Sequence, residues 1–306
     1  MKQQVLGSIC LALAASIWGG MFVASKYVLE FIPPFTLMCI RYSIGSLLLF
    51  SIMKVRKKTS ASKTKRDWML LIWIGFIGYL VTISFQFIGV ELSNAHTGAL
   101  ITATTPVFIV VFARIILKEE ITYRKAASLV LASVGVFTVI EWNTQMNSYL
   151  LGSFILFMAA VCWALLSIYV KKASSKFTSL EITANGILIG LMMTIPFMIG
   201  ELQYNSFSIP NLNVIFGIIY LGIVSTAGGF YFWNKGMELM EAGVGSLFYF
   251  FQPLTGALLG WLLLDESLSA QFFIGFFLIM CGIFIVTWKP KRKRTLTSSQ
   301  YMNKVR

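Results

Sequence analysis

Roughly 20 helical residues cross the hydrocarbon core of a bilayer, which is about 30 Å thick. This chain carries ten apolar stretches near that length, at 5–25, 33–53, 68–88, 96–117, 123–140, 151–170, 180–199, 213–233, 243–264 and 269–288. Lipid offers backbone N–H and C=O groups no hydrogen-bond partner, so segments of this kind must be helices that satisfy themselves. The expected fold class is therefore an all-α integral membrane protein with ten transmembrane helices. Composition agrees: 57% of the residues are hydrophobic and 12% charged, against about 25% charged in an ordinary soluble domain. Such a composition argues against a soluble enzyme. The first stretch follows Lys2 and leads to the small residues Ala14, Ala15 and Ser16, as a signal peptide would. Its apolar pattern continues to Tyr27 and nine more stretches follow, so an uncleaved helix is expected.

The connections are short, and positive charge collects in loops retained in the cytoplasm. Alternate connections hold 22 of the 25 Lys and Arg residues on one side and Lys26 alone on the other, with Arg41 and Arg114 inside the stretches. Both termini are thus expected to be cytoplasmic, in a multi-pass protein of the cell membrane. This bias accounts for the net charge of +13 without a nucleic-acid partner. The basic tail, 289–306, needs only orientation and contact with anionic lipid to explain it. Cys10, Cys39, Cys162 and Cys281 each lie inside an apolar stretch without pairing or metal-ligand spacing, and read as reduced thiols.

A shift of 147 residues lays FIGVELSNAHTGAL (87–100) on NKGMELMEAGVGSL (234–247), matching Gly89 with Gly236, Glu91 with Glu238 and Gly98 with Gly245. It also pairs Pro106 with Pro253, Gly75 with Gly222, Gly135 with Gly282 and Glu119 with Glu266, while a shift of 145 pairs Trp18 with Trp163 and Lys26 with Lys171. The units are 1–141 and 149–288. Five spans in each make the second cross the membrane in the opposite sense, giving two inverted five-helix repeats. Such repeats characterise secondary transporters that rock about a site near the midplane.

The runs AASIWGGMFVASKYVLEFIPPFTLMCIRYSIGSLLL (14–49), TTPVFIVVFARIILKEEITYRKAASLVLASVGVF (104–137) and QPLTGALLGWLLLDESLSAQFFIGFFLIMCGIF (252–284) resemble the EamA-type transporters of the drug/metabolite transporter superfamily. The resemblance spans nearly the whole chain as two EamA-like units. It implies a ten-helix bundle with a central cavity, often an exporter of amino acids, other small metabolites or toxic amphiphiles. The expected function is a secondary transporter moving such a solute by alternating access, with efflux implied by the resemblance alone. An importer or exchanger, or a nontransporting scaffold or sensor, remains open. Oligomeric state is not legible.

Proline leaves the carbonyl four residues earlier without its donor, which is Thr102 for Pro106 and Tyr249 for Pro253. The same faces carry Thr102 with Thr105, and Tyr249 with Gln252, at helical spacing. Tyr79, Thr82 and Gln86 share one face of the third stretch, and their counterparts are Thr226, Gly229 and Trp233. Tyr79, Thr82, Gln86, Thr102, Thr105, Tyr249 and Gln252, with Trp163, are the candidate substrate-binding residues, set against helix packing as the alternative. Trp18 and Trp163 either stack a substrate or pack the scaffold. Arg41 is a structural ion pair or carbonyl clamp, or binds a substrate carboxylate. The spacings Gly186 to Gly190 and Gly256 to Gly260 suit helix packing. His96, the sole histidine, is expected to be interfacial.

Nothing in the sequence suggests catalysis: it has no GxxxxGK[ST], no HExxH and no second histidine. No cofactor and no metal are expected. All twelve acids, including Glu91 and Glu181, fall in loops or at the ends of stretches, so no deep carboxylate is available for proton coupling. The charge map makes a direct prediction: a cysteine placed in the 141–150 loop reacts with an impermeant maleimide added outside intact cells, and labelling only after lysis would reject the map.

Overall fold

The computed structural model describes residues 2–56, 63–92, 101–139, 150–264 and 270–287. His96, Asp265, Glu266, nearly all of the 141–150 loop and the basic tail lie outside the described residues. Helices are α1 Lys2–Leu29, α2 Pro34–Arg56, α3 Lys65–Ile74, α4 Thr82–Glu91, α5 Thr105–Ile116, α6 Tyr123–Val139, α7 Leu150–Ala173, α8 Ser179–Leu202, α9 Leu212–Ile219, α10 Phe230–Leu239, α11 Ala242–Gly245, α12 Phe251–Leu264 and α13 Ala270–Thr287. Wider π turns over Gly75–Val81 and Tyr220–Gly229 fuse α3 with α4 and α9 with α10 into continuous rods. A tighter 3-10 segment, Ser246–Phe250, joins α11 to α12.

Among the described residues, seven helical rods are long and apolar enough to cross a membrane. The three remaining expected crossings correspond to α5, α6 and the α11–α12 unit, which are shorter or interrupted. The outward faces carry exposed Leu47, Phe216, Leu262, Phe273 and Phe277. So many large apolar side chains on the outside suit lipid better than water.

Helix contacts come in pairs that the sequence repeat exchanges. α1 packs on α10 and α12, and its counterpart α7 packs on α4 and α5. α2 lies against α8, and α6 against α13, each pairing an element with its own counterpart. The exchange holds at single residues. A Cβ on Gly89 would meet Leu156 at 2.6 Å and the Gly152 carbonyl at 3.1 Å, while one on Gly236 would meet Leu11 at 2.3 Å and the Gly7 carbonyl at 3.0 Å. Likewise Gly75 abuts Ile189 and Gly222 abuts Ile44. A Cβ on Gly135 would lie 2.8 Å from the Gly275 carbonyl, and one on Gly282 would lie 2.9 Å from the Ser128 carbonyl. Glycines matched by sequence shift are thus points of close helix approach, to backbone or to side chain, across a pseudo-two-fold relation, as van der Waals packing in lipid favours.

At the end of the bundle that carries most described basic residues, the bend at Met240–Ala242 is tied from several sides. The Lys171 ammonium donates to the carbonyls of Met240 (2.6 Å) and Glu238 (3.1 Å), capping the C-terminus of α10. The Glu119 carboxylate accepts the N–H groups of Ala242 (2.7 Å) and Gly243 (3.1 Å), and Lys125 pairs with Glu241 at 2.7 Å. Ser179 also donates to Glu238. At the opposite end Glu201 accepts from the Phe35 and Thr36 N–H groups at 3.0 and 2.8 Å, holding α8 to the start of α2. Every described Asp and Glu lies in a connection or within a terminal turn of a helix, as the sequence places them.

Replacing Gly135 or Gly282 by Ala sets a methyl against a backbone carbonyl that cannot retract without separating α6 from α13. Each substitution is expected to destabilise by about 1–3 kcal/mol in thermal unfolding of the detergent-solubilised protein. A Cβ on Gly200 meets nothing within 4 Å, so Gly200→Ala should leave the melting temperature unchanged or slightly raised.

Candidate functional site

Two residues that are repeat-equivalent and also touch must sit beside the axis of exchange. Trp18 and Trp163 do so, with ring centroids 5.0 Å apart and planes at 87°. Around this edge-to-face pair gather Phe230, 5.5 Å from Trp18, and Trp233, 5.6 Å from Trp18. Tyr249 stands 5.6 Å from Trp233 and Tyr79 stands 4.6 Å from Phe230. The cluster draws on α1, α7, α10, the 3-10 segment and the first π turn, so elements of both units build it.

Polar atoms in this apolar centre divide into satisfied and unsatisfied. The Trp18 indole donates to the Ser225 carbonyl (3.2 Å), and that of Trp233 donates to the Ser167 hydroxyl (3.2 Å). Among the described residues, neither the Trp163 indole N–H nor, at the start of α5, the Thr105 hydroxyl has a hydrogen-bond partner, although both are buried. The Tyr79 hydroxyl also lacks a bond of good geometry, with Asn234 as its polar neighbour. A buried donor without an acceptor is costly; Ser25, Ser46, Ser84 and Ser128 also have buried hydroxyls without a partner among the described residues, but Trp163 and Tyr79 belong to the aromatic cluster, where a bound solute could satisfy them.

Both prolines were expected inside helices, each leaving the carbonyl four residues earlier without its donor. Instead each begins one: α5 starts at Thr105 with Pro106 in its first turn, and α12 starts at Phe251 with Pro253 third. The missing N–H costs nothing there, because a first turn leaves its N–H groups unused in any case. The Tyr249 carbonyl, expected to be bare, receives the Phe251 N–H, shared with the Phe248 carbonyl. Backbone is therefore non-α just before Thr105 and over Ser246–Phe250, at repeat-equivalent places. Discontinuous helices of this kind are tolerated at membrane depth where protein or a cavity surrounds them.

The other expected site residues separate by role. The Thr82 hydroxyl donates to the Ile77 carbonyl at 2.7 Å, repairing the π turn, and Thr226 does the same to Leu221 at 2.7 Å. Tyr79 is fully buried, its ring wedged over Gly186 and Gly190, which explains that GxxxG spacing. Thr102 and Gln252 are buried near the helix breaks, and Gln86 is half-buried on α4. The structure thus brings Tyr79, Trp163 and Tyr249 into one cluster with Trp18. It adds Phe230, which no repeat match marks, since its counterpart is Ile83. Trp233 had been noted only as the counterpart of Gln86.

Arg41 is buried at 2% exposure. Its Nε donates to the Thr226 hydroxyl (2.7 Å) and its Nη2 reaches the Ser225 hydroxyl (3.4 Å) and the Met21 sulfur (3.5 Å). It is neither an ion pair nor a carbonyl clamp among the described residues. A separate cavity of about 340 Å3 runs along Ile17, Leu48, Leu49, Ile223, Val224 and Phe232. Only Tyr231 among its lining residues carries a polar side chain, so it lacks the convergent polar groups that orient a solute. No group of three His, Cys, Asp or Glu able to hold a metal occurs among the described residues, and all four cysteines are free thiols.

Comparison with known proteins gives a consistent result. An uncharacterized transporter of Archaeoglobus fulgidus is 28% identical over 281 residues, covering 92% of this chain and 98% of that protein. The uncharacterized transporter YetK of Bacillus subtilis is 26% identical over 296 residues, covering 95% and 90%. The putative permease-like protein YdzE of Bacillus subtilis is 55% identical over 75 residues, 24% of this chain and 95% of its own length. A crystal structure 20% identical in sequence superposes with a TM-score of 0.78 over 92% of this chain and 96% of its own, which shows a shared fold. Residues 5–140 and 150–288 each match the EamA-like transporter family. Matched twice over nearly its full length, the chain belongs to the EamA-like transporter family, as a multi-pass membrane protein.

Proposed function

We propose that the protein is a secondary carrier with ten spans in two inverted five-helix units, both termini cytoplasmic in the cell membrane, moving a small organic metabolite by alternating access. One observation carries the reading: the repeat-equivalent Trp18 and Trp163 meet beside the exchange axis, between two broken helices, with the Trp163 N–H unsatisfied. A site on that axis is the one place that two units rocking against each other can expose in turn to either side. Aromatic faces with a few polar atoms suit an amino acid or related amphiphile, whose amine or ring stacks on indole while its polar groups meet Trp163, Thr105, Gln252 and Tyr249. Export is the direction that the family resemblance implies.

Reconstituted proteoliposomes test this. Labelled amino acids preloaded inside should leave faster than from protein-free vesicles, and no difference across a panel of amino acids and small amphiphiles would favour a nontransporting scaffold. Gln252→Ala and Tyr79→Phe each remove one polar handle, and flux should fall about 3- to 10-fold, the worth of one hydrogen bond, with unchanged melting temperature. Tyr79→Ala is less informative, because it would also open a void over Gly186 and Gly190. Full transport by both variants would move the site elsewhere.

Energy coupling is testable in the same vesicles. Glu181 is engaged in capping α8 and in pairing with Lys63 at 2.5 Å, which supports a structural role. Flux is expected to proceed without a pH gradient and without stoichiometric proton movement, as in a facilitator or exchanger. Accumulation driven by an imposed proton gradient and abolished by Glu91→Gln or Glu181→Gln would overturn this.

A further inference from the structure

Arg41 is a full positive charge buried in the membrane-spanning part of the bundle. Ion pairs among the described residues involve Lys63, Lys125 and Lys235, all in connections or near helix ends, and none reaches Arg41. Burying an unpaired charge is expensive, and intramembrane ionisable groups are kept where function needs them. Its protein contacts alone would not need the charge: a neutral amide could donate to the Thr226 and Ser225 hydroxyls equally well.

The contacts instead set the orientation of the guanidinium. The Thr226 hydroxyl gives its proton to the Leu221 carbonyl at 2.7 Å, which leaves an oxygen lone pair facing Arg41 Nε. Nη2 is directed to Ser225 and Met21, and among the described residues no hydrogen bond reaches Nη1. One helical turn beyond Met21 on the same face of α1 is Ser25, whose buried hydroxyl has no partner among the described residues. Ser225 links this charge to the aromatic cluster, because its hydroxyl meets Arg41 while its carbonyl accepts from the Trp18 indole at 3.2 Å. Tyr42 continues the link: Arg41 lies 6.0 Å from its ring centroid, and its hydroxyl donates to the Tyr79 carbonyl at 2.7 Å.

We propose that Arg41 is the anion-binding group of the solute site, so that the transported solute carries a carboxylate or similar oxyanion, with its apolar part lying toward Trp18 and Trp163. This deepens the transport reading above and rests on it. A carboxylate supplies the missing countercharge and accepts from the open guanidinium edge, where planar fork geometry gives a strength and direction that a lysine ammonium does not. The unpartnered Ser25 hydroxyl lies on the α1 face that already touches Arg41.

The test uses the purified full-length protein in detergent, with sodium benzoate and benzamide as matched probes that differ in the charge of one group. Benzoate should raise the melting temperature and alter tryptophan fluorescence, whereas benzamide and sodium chloride of equal ionic strength should not. R41Q should bind benzoate about tenfold more weakly or worse, and R41K, which keeps the charge but loses the fork, should fall between. Equal responses to benzoate and benzamide, no response to benzoate, or an undiminished response in R41Q would each overturn the proposal. The contrast between the two probes in the wild-type protein holds even if R41Q does not fold. Proteoliposome flux separates this inference from the function itself. Carriage of amidated amino acids as fast as the free acids would leave transport standing and remove the anion site. Arg41-dependent benzoate binding without flux of any solute would do the reverse.

Discussion

Inside hydrocarbon a backbone carbonyl has no water to turn to, and every departure from the α-helix must be repaired from within the protein. That constraint organises this molecule. Its two π turns, at Gly75–Val81 and Tyr220–Gly229, are each closed by a threonine hydroxyl that reaches back five residues, Thr82 to Ile77 and Thr226 to Leu221. The helix breaks before α5 and α12 are repaired differently, by starting a new helix with proline in its first turn. Among the described residues, these departures from the α-helix fall at repeat-equivalent places, and the first π turn and the Ser246–Phe250 segment bring Tyr79 and Tyr249 to the aromatic centre.

The second constraint is that lipid removes most of the hydrophobic drive for helices to associate, so contact must come from fit. Glycines provide it. Gly89 and Gly236, Gly75 and Gly222, and Gly135 and Gly282 each let one backbone approach a partner that the repeat exchanges. Because the same packing solution is used twice, the halves share an interface with a pseudo-two-fold axis. The charged ends complete it: Lys171, Lys125 and Glu119 satisfy backbone and carboxylates at the Met240–Ala242 bend, while Glu201 ties the start of α2 at the far end. Some of the basic residues that bias topology therefore also hold helix termini in place, which a loop count alone does not reveal.

These constraints position the centre. Trp18 and Trp163 can meet only because α1 and α7 both pass beside the axis, and the glycine contacts bring the first π turn and α10 close enough to add Tyr79, Phe230 and Trp233. The Gly229 position shows how little room remains, since a Cβ there would lie 2.7 Å from the Trp18 indole nitrogen. Membership of the EamA-like family, matched twice along the chain, accords with an interface built by duplication.

Much was settled by the linear pattern, because the properties involved are local or periodic. Apolar length marks the helices, the 147-residue shift marks the duplication, and the placement of acids at helix ends is read directly from the sequence. What the fold decided depended on partners remote in the chain. Pro106 and Pro253 look like mid-helix residues until the segments before them are seen to leave the α-helix, which puts each proline in a first turn. Thr82 looks like a cavity polar group, yet a π turn five residues back claims its hydroxyl, and no spacing rule anticipates that register change. Phe230 joins the centre without a repeat signal, since only packing places it against Tyr79 and Trp18. The sequence by itself determined a duplicated, helical membrane protein, because hydropathy and repetition are carried by single segments. Which polar atoms are satisfied and which are left waiting, Arg41 and Trp163 above all, was decided only by tertiary structure, because hydrogen bonds depend on ångström-scale geometry between helices far apart in the chain.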